Sequence, residues 1–181
     1  MVNFYGSSKQ FQVLIPMRSH QRGFTLIELL VFIAIVAVLG AVIFVTLDPL
    51  SRFRDARDSR RSADVNAILS AIRTSQVEGD GSSALLVSGL TADDVYMIGT
   101  ASAGCDDQNA ACDTVVTSDA SCVDLSDLAS AGYLQSIPVS PEGSVDWSPN
   151  ATGYTLSRSD VGTITVRACE SENTSEISAS R

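Results

Sequence analysis

The stretch RGFTLIELLVFIAIVAVLG, residues 22–40, decides the fold, because it is apolar enough for lipid and yet carries a carboxylate, Glu28. The seventeen residues from Leu29 to Val45 contain no charge, and the apolar segment from Phe24 to Leu47 is twenty-four residues long. About twenty such residues suffice for a helix to cross a bilayer. An acidic side chain near the centre of a spanning helix costs about 2.5 to 3.5 kcal/mol. Glu28 lies nearer the end, where this cost is lower, but its charge still requires a partner.

The residues before this segment form a short basic leader. Residues 1–23 contain Lys9, Arg18 and Arg22 and no acidic residue, which gives a net charge of +3. A secretory signal peptide has an apolar core of about 7 to 15 residues followed by a small-x-small cleavage site. The core here is longer and no such site follows it, so we expect the apolar segment to stay in the mature protein as a membrane helix.

The net charge of −9 is distributed unevenly along the chain. Residues 49–73 contain six arginines against three aspartates, whereas residues 74–181 contain three arginines against sixteen acidic residues, a net charge of −13. An acidic surface repels the phosphate backbone of nucleic acids. We therefore expect no direct nucleic-acid partner for the distal region.

The four cysteines all lie in this acidic region, at Cys105, Cys112, Cys122 and Cys169. They lack the C-x-x-C spacing of zinc and redox sites, and no calcium-binding D-x-D-x-D-G loop is present, so we expect no metal and no cofactor. An even number of cysteines in a small domain rich in glycine, serine and aspartate predicts disulfides and an oxidising compartment, with free thiols as the alternative. Of the three possible pairings we favour Cys122 with Cys169 and Cys105 with Cys112.

Two sequence signals bear on the topology of the membrane segment, and they disagree. The arginines at positions 52–61 would face the cytoplasm by the positive-inside rule. The cysteines place the C-terminal region outside. We favour the second signal, because the aspartates at positions 55, 58 and 64 offset three of these arginines.

The pattern after the apolar segment continues as a helix to about Gln76, with a kink expected near Pro49. Its first part, RFRDARDSRRSAD, is polar on every face, so we interpret it as a solvated neck with ion pairs Arg54–Asp58 and Arg60–Asp64; contact with lipid phosphates or neighbouring subunits is the alternative. A core-facing stripe with helical spacing follows, made of Val65, Ile68, Leu69 and Ile72.

Residues 82–121 are interpreted as a region of surface loops cross-linked by the cysteines. The distal region contains three shorter patterns, one of them within these loops. VYMIG at 95–99 is typical of a strand. DLSDLASAGYL at 124–134 predicts a short helix capped by Asp124, with Leu125 and Leu128 inward and Gly132 at its end. GYTLSRSDVGTITVRAC at 153–169 predicts a hairpin whose apolar face covers the helix stripe and whose other face carries Thr155.

The N-terminal residues resemble those of a known family. Gly23 followed by FTLIELL, with Glu28 four residues after Phe24, closely resembles the cleavage and methylation signature of type IV pilins and type II secretion pseudopilins. Residues four apart share a helix face, so this spacing predicts that Phe24 and Glu28 are neighbours. The resemblance covers about twenty-five residues. It implies an α+β, pilin-like fold in which a long N-terminal helix packs on a small antiparallel C-terminal sheet.

The resemblance also implies how the protein is processed and assembled. A prepilin peptidase would cut between Gly23 and Phe24 and N-methylate Phe24, and Glu28 would pair with the terminal amine of an adjacent subunit in the filament. The implied segments are a cleaved leader (1–23), a transmembrane half-helix (24–47), an amphipathic half-helix (48–77) and an extracytoplasmic domain with disulfides (78–181). The implied partners are other pilin subunits, the peptidase, the pilus assembly platform and the cytoplasmic membrane, with a surface filament as the final location.

Other classes of function remain as alternatives to a filament subunit. After cleavage the chain would contain no histidine and no G-x-S-x-G or P-loop motif, so we do not expect an enzyme, although a carboxylate-pair hydrolase leaves no distinct signature. A signal-anchored binding module, or a minor pilin involved in adhesion or DNA uptake, is the second hypothesis.

Overall fold

The computed structural model describes residues 23–78, 87–118 and 122–181. The chain divides into two compact units, Met1–Leu47 and Asp48–Arg181. Residues 1–22 of the predicted leader lie outside the described residues, as do parts of the predicted loops at 79–86 and 119–121.

The described part of the first unit is dominated by helix α1, Leu26–Leu47. Its 22 residues span roughly 33 Å at 1.5 Å per residue, slightly more than the thickness of a bilayer's hydrocarbon core. The helix is long and apolar enough to cross a membrane, and none of its apolar window is buried. The predicted membrane-type helix is confirmed.

The interruption predicted near Pro49 is confirmed one residue earlier. Asp48 has φ 35°, outside the helical region, and helix α2 then begins at Pro49 and ends at Glu78. Proline suits the first position of a helix, because its missing N–H would have no intrahelical partner there. A left-handed conformation is uncommon for a residue other than glycine. The helical pattern is therefore divided into two helices.

Helix α2 buries the predicted apolar stripe. Val65, Ile68 and Ile72 have no exposed surface and Leu69 is 4 % exposed. They share one cluster with residues of the C-terminal sheet, including Tyr154, Leu156, Ile164 and Val166. The stripe and the hairpin together form the core of the second unit, as their spacing predicts.

The sheet has four antiparallel strands in the order β1-β2-β3-β4: Val95–Met97, Tyr154–Arg158, Ile164–Ala168 and Ser178–Ser180. The predicted strand at 95–99 and the predicted hairpin are confirmed, and the architecture is α+β and pilin-like. Strand β4 has the sequence Ser-Ala-Ser, which carries no strand propensity. It forms because β3 offers it an unpaired edge.

The second face of the sheet, on which the alternation places Thr155, is also covered. Thr155 is 1 % exposed, and its cross-strand partner Met97 is fully buried. Met97 belongs to a second apolar cluster together with Cys105, Val116, Trp147 and Cys169. The cysteine-bearing loops therefore contribute a second core.

The short helix, α3, is confirmed with a different cap. It runs from Ser126 to Ser130, and its N-cap residue is Leu125. Asp124 Oδ1 instead accepts a hydrogen bond from the backbone N–H of Ser126 at 2.8 Å, a local turn that delays the helix by one residue. Leu125 and Leu128 are buried, and Gly132 follows at φ 86°.

All four cysteines form disulfides, but the favoured pairing is wrong. The bonds join Cys105 to Cys122 and Cys112 to Cys169. The segment at Cys122 runs beside Ala101, whose carbonyl accepts the Cys122 N–H at 3.0 Å, and this brings Cys122 to Cys105. The N–H of Asp113 donates to the Cys169 carbonyl at 2.6 Å, which brings Cys112 to the end of β3. Backbone pairing, not closeness in sequence, selects the partners.

Peptide mapping under non-reducing conditions is expected to recover Cys105 with Cys122 and Cys112 with Cys169. The loops close over 17 and 57 residues, which the chain-entropy relation values at about 3 and about 4 kcal/mol. Removing the longer loop by a Cys112→Ser/Cys169→Ser double change should lower the unfolding midpoint more than Cys105→Ser/Cys122→Ser. A peptide that joins Cys105 to Cys112 would contradict this pairing.

Candidate functional site: the start of α1 and the buried arginine cluster

The start of α1 holds the residues predicted to be processed and to direct assembly. Gly23, Phe24 and Thr25 precede the helix, and the Phe24 side chain is 79 % exposed. Thr25 Oγ1 accepts the Glu28 N–H at 3.2 Å, and the Thr25 carbonyl accepts the Leu29 N–H at 3.1 Å. Thr25 is thus the helix cap, and Glu28 occupies the third helical position.

This geometry corrects one expectation and sharpens another. Phe24 lies before the cap, so Phe24 and Glu28 do not lie one turn apart on a helix face as their spacing predicts. Thr25 and Glu28 have the T-x-x-E spacing of a capping box, in which the acidic side chain lies near the positive end of the helix dipole. A carboxylate is favourable at that position, whereas an ammonium group on Phe24 would be unfavourable. A new amine there would therefore need a nearby anion.

The side chains of α1 form a continuous apolar surface that the described residues leave uncovered. Exposed fractions reach 61 % at Phe32, 58 % at Leu39 and 68 % at Phe44. A Cβ added at Gly40 would meet no atom within 4 Å. An apolar surface of this extent marks contact with lipid or with other proteins.

A fully buried arginine lies at the centre of the second site, which we call the arginine cluster: Arg57, Asp58, Arg61, Glu170 and Glu172. Arg61 has no exposed surface. Its Nη1 lies 3.0 Å from Asp58 Oδ1 and 2.9 Å from Glu172 Oε1, and its Nη2 lies 3.6 Å from Glu170 Oε2. Its Nε donates to Ser140 Oγ at 3.1 Å, and Nη2 donates to the Pro141 carbonyl at 3.1 Å. All three nitrogens of the guanidinium group therefore have partners.

Glu170 joins the cluster to the loop at residues 143–147. Its carboxylate accepts the Trp147 indole N–H at 2.8 Å and the Ser144 backbone N–H at 2.6 Å, and it also accepts the Ser144 hydroxyl. A Cβ added at Gly143 would lie 2.6 Å from Glu170 Oε2 and 2.9 Å from Arg61 Nη2. A side chain at position 143 would therefore displace the charged ends of Glu170 and Arg61.

Asp58 holds the segment after β3 against α2. Its Oδ2 accepts the backbone N–H groups of Glu172 and Asn173 at 3.1 and 2.8 Å. Asn173 Nδ2 donates to Asp55 Oδ1 at 2.6 Å. These bonds join residues more than a hundred positions apart, so the cluster ties the last part of the chain to the first turns of α2.

Charge pairing shifts the pKa values of two members of the cluster, Arg57 and Glu172. Arg57 donates from Nε to Glu172 Oε1 at 2.6 Å and from Nη2 to Oε2. Hydrogen bonds from Arg57 and then from Arg61 outweigh partial burial and lower the pKa of Glu172 to about 2, and the hydrogen bond with Glu172 raises the pKa of Arg57. A lowered carboxyl pKa stabilises the fold above the unfolded value near 4.5. That stabilisation is lost as the pH falls toward 2.

The solvated-neck interpretation is therefore wrong for this part of α2. Arg60–Asp64 is confirmed as a long pair at 3.9 Å between an exposed arginine and a half-buried aspartate. Asp58 pairs with Arg61 and not with Arg54 among the described residues. Asp64 Oδ2 also accepts the Tyr154 hydroxyl at 2.7 Å, and burial followed by this bond raises the pKa of Tyr154. The sequence alone does not predict the cluster, because Glu170 and Glu172 lie over a hundred residues from Arg61. The one indication of it is the excess of arginine over aspartate in residues 49–73.

The two sites suit different tasks. The hydrogen bonds of the arginine cluster are made to backbone and side-chain groups of the same chain, which fits a structural role. The start of α1 offers an exposed peptide bond, a capped helix and an uncovered apolar surface. Of the two sites, the start of α1 is the one that leaves groups free to contact other molecules.

Comparison with known proteins bears on the start of α1. A family model described as the prokaryotic N-terminal methylation motif matches residues 18–44. Neither the curated proteins nor the solved structures include a significant match. Such a motif indicates a prepilin-processed, membrane-anchored protein with a structural and not an enzymatic task. Residues 18–44 thus carry the N-terminal signature of type IV pilins and pseudopilins.

Proposed function

We propose that this chain is a structural subunit of a type IV pilus or of a related pseudopilus. The observation that carries the proposal is the uncovered apolar surface of α1, most of which lies within the methylation motif and which carries one carboxylate at its start. Lipid covers such a helix before assembly and the helices of other subunits cover it afterwards. The partners are then further pilin subunits and the assembly platform.

The proposed cleavage site is the peptide bond between Gly23 and Phe24. The bond precedes the first helical residue, so a peptidase can bind it in an extended form without unwinding α1. Cleavage removes the basic leader and creates the Phe24 amine, which the same enzyme methylates. Methylation keeps the positive charge of the amine.

Assembly then depends on Glu28. The Phe24 amine lies at the positive end of the α1 dipole, and the apolar surroundings of a filament make an unpaired charge costly. The Glu28 carboxylate of an adjacent subunit neutralises it and sets the axial position of one helix relative to the next. Before assembly, the second unit lies on the outer side of the cytoplasmic membrane, where its cysteines can oxidise.

Mass spectrometry of the mature protein is expected to find methylated Phe24 as the first residue. A Gly23→Val change should abolish cleavage, because the peptidase requires glycine at that position. A Cβ added at Gly23 meets no atom of this chain within 4 Å, so the chain itself tolerates the change. Gly40→Ala, at a glycine that is equally uncrowded, is the control and should be processed normally.

An intact Met1 terminus in membranes that contain active peptidase would refute the proposal. So would normal processing of the Gly23→Val variant. A mature terminus at any residue other than Phe24 would show that another enzyme cuts the chain, and the chain would then be a differently anchored protein.

A further inference from the structure

The first turns of α2 expose a surface that combines apolar and basic side chains. We call Leu50, Arg52, Phe53 and Arg54 the entry patch. Leu50 is 67 % exposed and Phe53 is 63 % exposed, and residues three apart on a helix are neighbours. Neither Arg52 nor Arg54 forms an ion pair with any residue that the structure describes. The arginines of the patch therefore have no ion-pair partner in the described part of the chain.

A small apolar cavity lies elsewhere in the same unit, between α3 and the segment that follows β1. We call this cavity of about 330 Å³ the α3 pocket. Its apolar wall is formed by Ile98, Leu125, Ala129, Ile137 and Pro149. Its volume is large enough for one or two large apolar side chains.

One acidic residue, Asp124, lines the α3 pocket. Asp127 is exposed in the first turn of α3 but is not among the lining residues. Residues 122–137 contain these two acids and no basic residue. An apolar hollow in a negatively charged segment is thus complementary to an apolar projection with two positive charges.

We propose that the entry patch of one copy docks into the α3 pocket of a second copy of this chain. The two surfaces do not cover each other within one chain, because Leu50 and Phe53 are exposed. A contact between two different surfaces of identical chains is head-to-tail, and such contacts build open filaments when the rotation does not close. Lipid is the alternative partner of the entry patch, but binding of lipid there would leave the α3 pocket without a partner. The inference rests on the proposed filament function and assigns a second contact outside α1.

Photo-cross-linking tests the contact in the full chain. With p-benzoylphenylalanine in place of Phe53, and with light and heavy isotope-labelled chains mixed in one membrane, irradiation is expected to join a light chain to a heavy chain. The joined peptide should fall within residues 98–100, 124–137 or 149–152. The same photoreactive residue at Val161, which is 83 % exposed in the turn after β2, is the control and should not reach that peptide. Cross-links from position 53 to lipid alone, or to another part of the chain, would overturn the proposal.

Charge exchange tests its specificity. Arg52→Asp/Arg54→Asp is expected to lower the cross-link yield and the sheared filament yield by about tenfold, since about 1.4 kcal/mol corresponds to a factor of ten. Adding Asp124→Arg/Asp127→Arg in the same chain restores opposite charges and should recover most of both yields. All four side chains are exposed, so intact disulfides should accompany each variant. A loss that the second pair of changes does not rescue would contradict docking at this pocket.

The failure of this inference can be told apart from the failure of the proposed function. If wild-type chains form filaments, Glu28→Ala abolishes them, and the charge exchange has no effect, only the entry-patch contact is wrong. If wild-type chains form no filaments under conditions of normal processing, the proposed function is wrong. A heavy-to-light cross-link from position 53 to the pocket in membranes would still support the contact in that case.

Discussion

Replacing Glu28 with alanine is expected to abolish or shorten surface filaments while the processed protein accumulates in the membrane. The change removes a charge from an apolar helix, so insertion should if anything improve. What is lost is the partner of a buried amine on an adjacent subunit, and an unpaired buried charge costs about 3 to 5 kcal/mol. Filaments are counted by microscopy and by shearing, after cleavage of the variant has been verified.

Glu28→Gln is the variant that separates pairing from helix capping. Thr25 caps α1, and glutamine serves in a capping box as glutamate does. If Glu28 acts only on the start of the helix, Glu28→Gln should assemble like wild type and Glu28→Ala should not. If its charge neutralises an amine, both variants should fail.

Normal filament number and length from cleaved Glu28→Ala protein would show that Glu28 is only a tolerated polar residue. Filaments that form only when wild-type subunits are co-expressed would instead indicate a minor subunit, which the shaft can absorb. Disulfide content should be unchanged in every variant, because Glu28 lies in a separate unit from the cysteines.

Replacing Arg61 with methionine is expected to destabilise the second unit by about 3 to 5 kcal/mol, because Asp58, Glu170 and Glu172 would lose the cation that they surround. Arg61 is fully buried, and the side chains of the three acids are 6 %, 8 % and 16 % exposed. For a unit of this size, the loss corresponds to a fall in Tm of roughly 10 to 20 °C. Thermal unfolding of the full chain in detergent, with disulfides intact, measures it.

Arg60→Met is the matched control on the adjacent residue. Arg60 is 67 % exposed and its pair with Asp64 is 3.9 Å long, so the expected change is below about 1 kcal/mol. Arg61→Lys should lie between the two, since lysine keeps the charge but cannot reproduce the forked contacts of the guanidinium group. Equal, small effects of Arg61→Met and Arg60→Met would show that the arginine cluster does not hold the fold together.

The features that the sequence by itself determined are those encoded by neighbouring residues. The uncharged run after Glu28, the core stripe from Val65 to Ile72 and the alternating hairpin at 154–168 each repeat with the period of one element. Pro49 marked the interruption between the helices because proline acts on the residues beside it. The methylation motif is likewise a contiguous segment, residues 18–44.

Only the tertiary structure decided which distant residues meet. The sequence predicts that Arg61 lies on a solvated helix face, because its partners Glu170 and Glu172 follow it by more than a hundred positions. Helical spacing carries no information over that distance. The pairing of Cys112 with Cys169 depends on a backbone bond between Asp113 and the end of β3. Strand β4 exists because β3 presents an open edge to a sequence with no preference of its own. In each case the local sequence indicates which type of bond a residue can form, and the packing of the chain selects the partner.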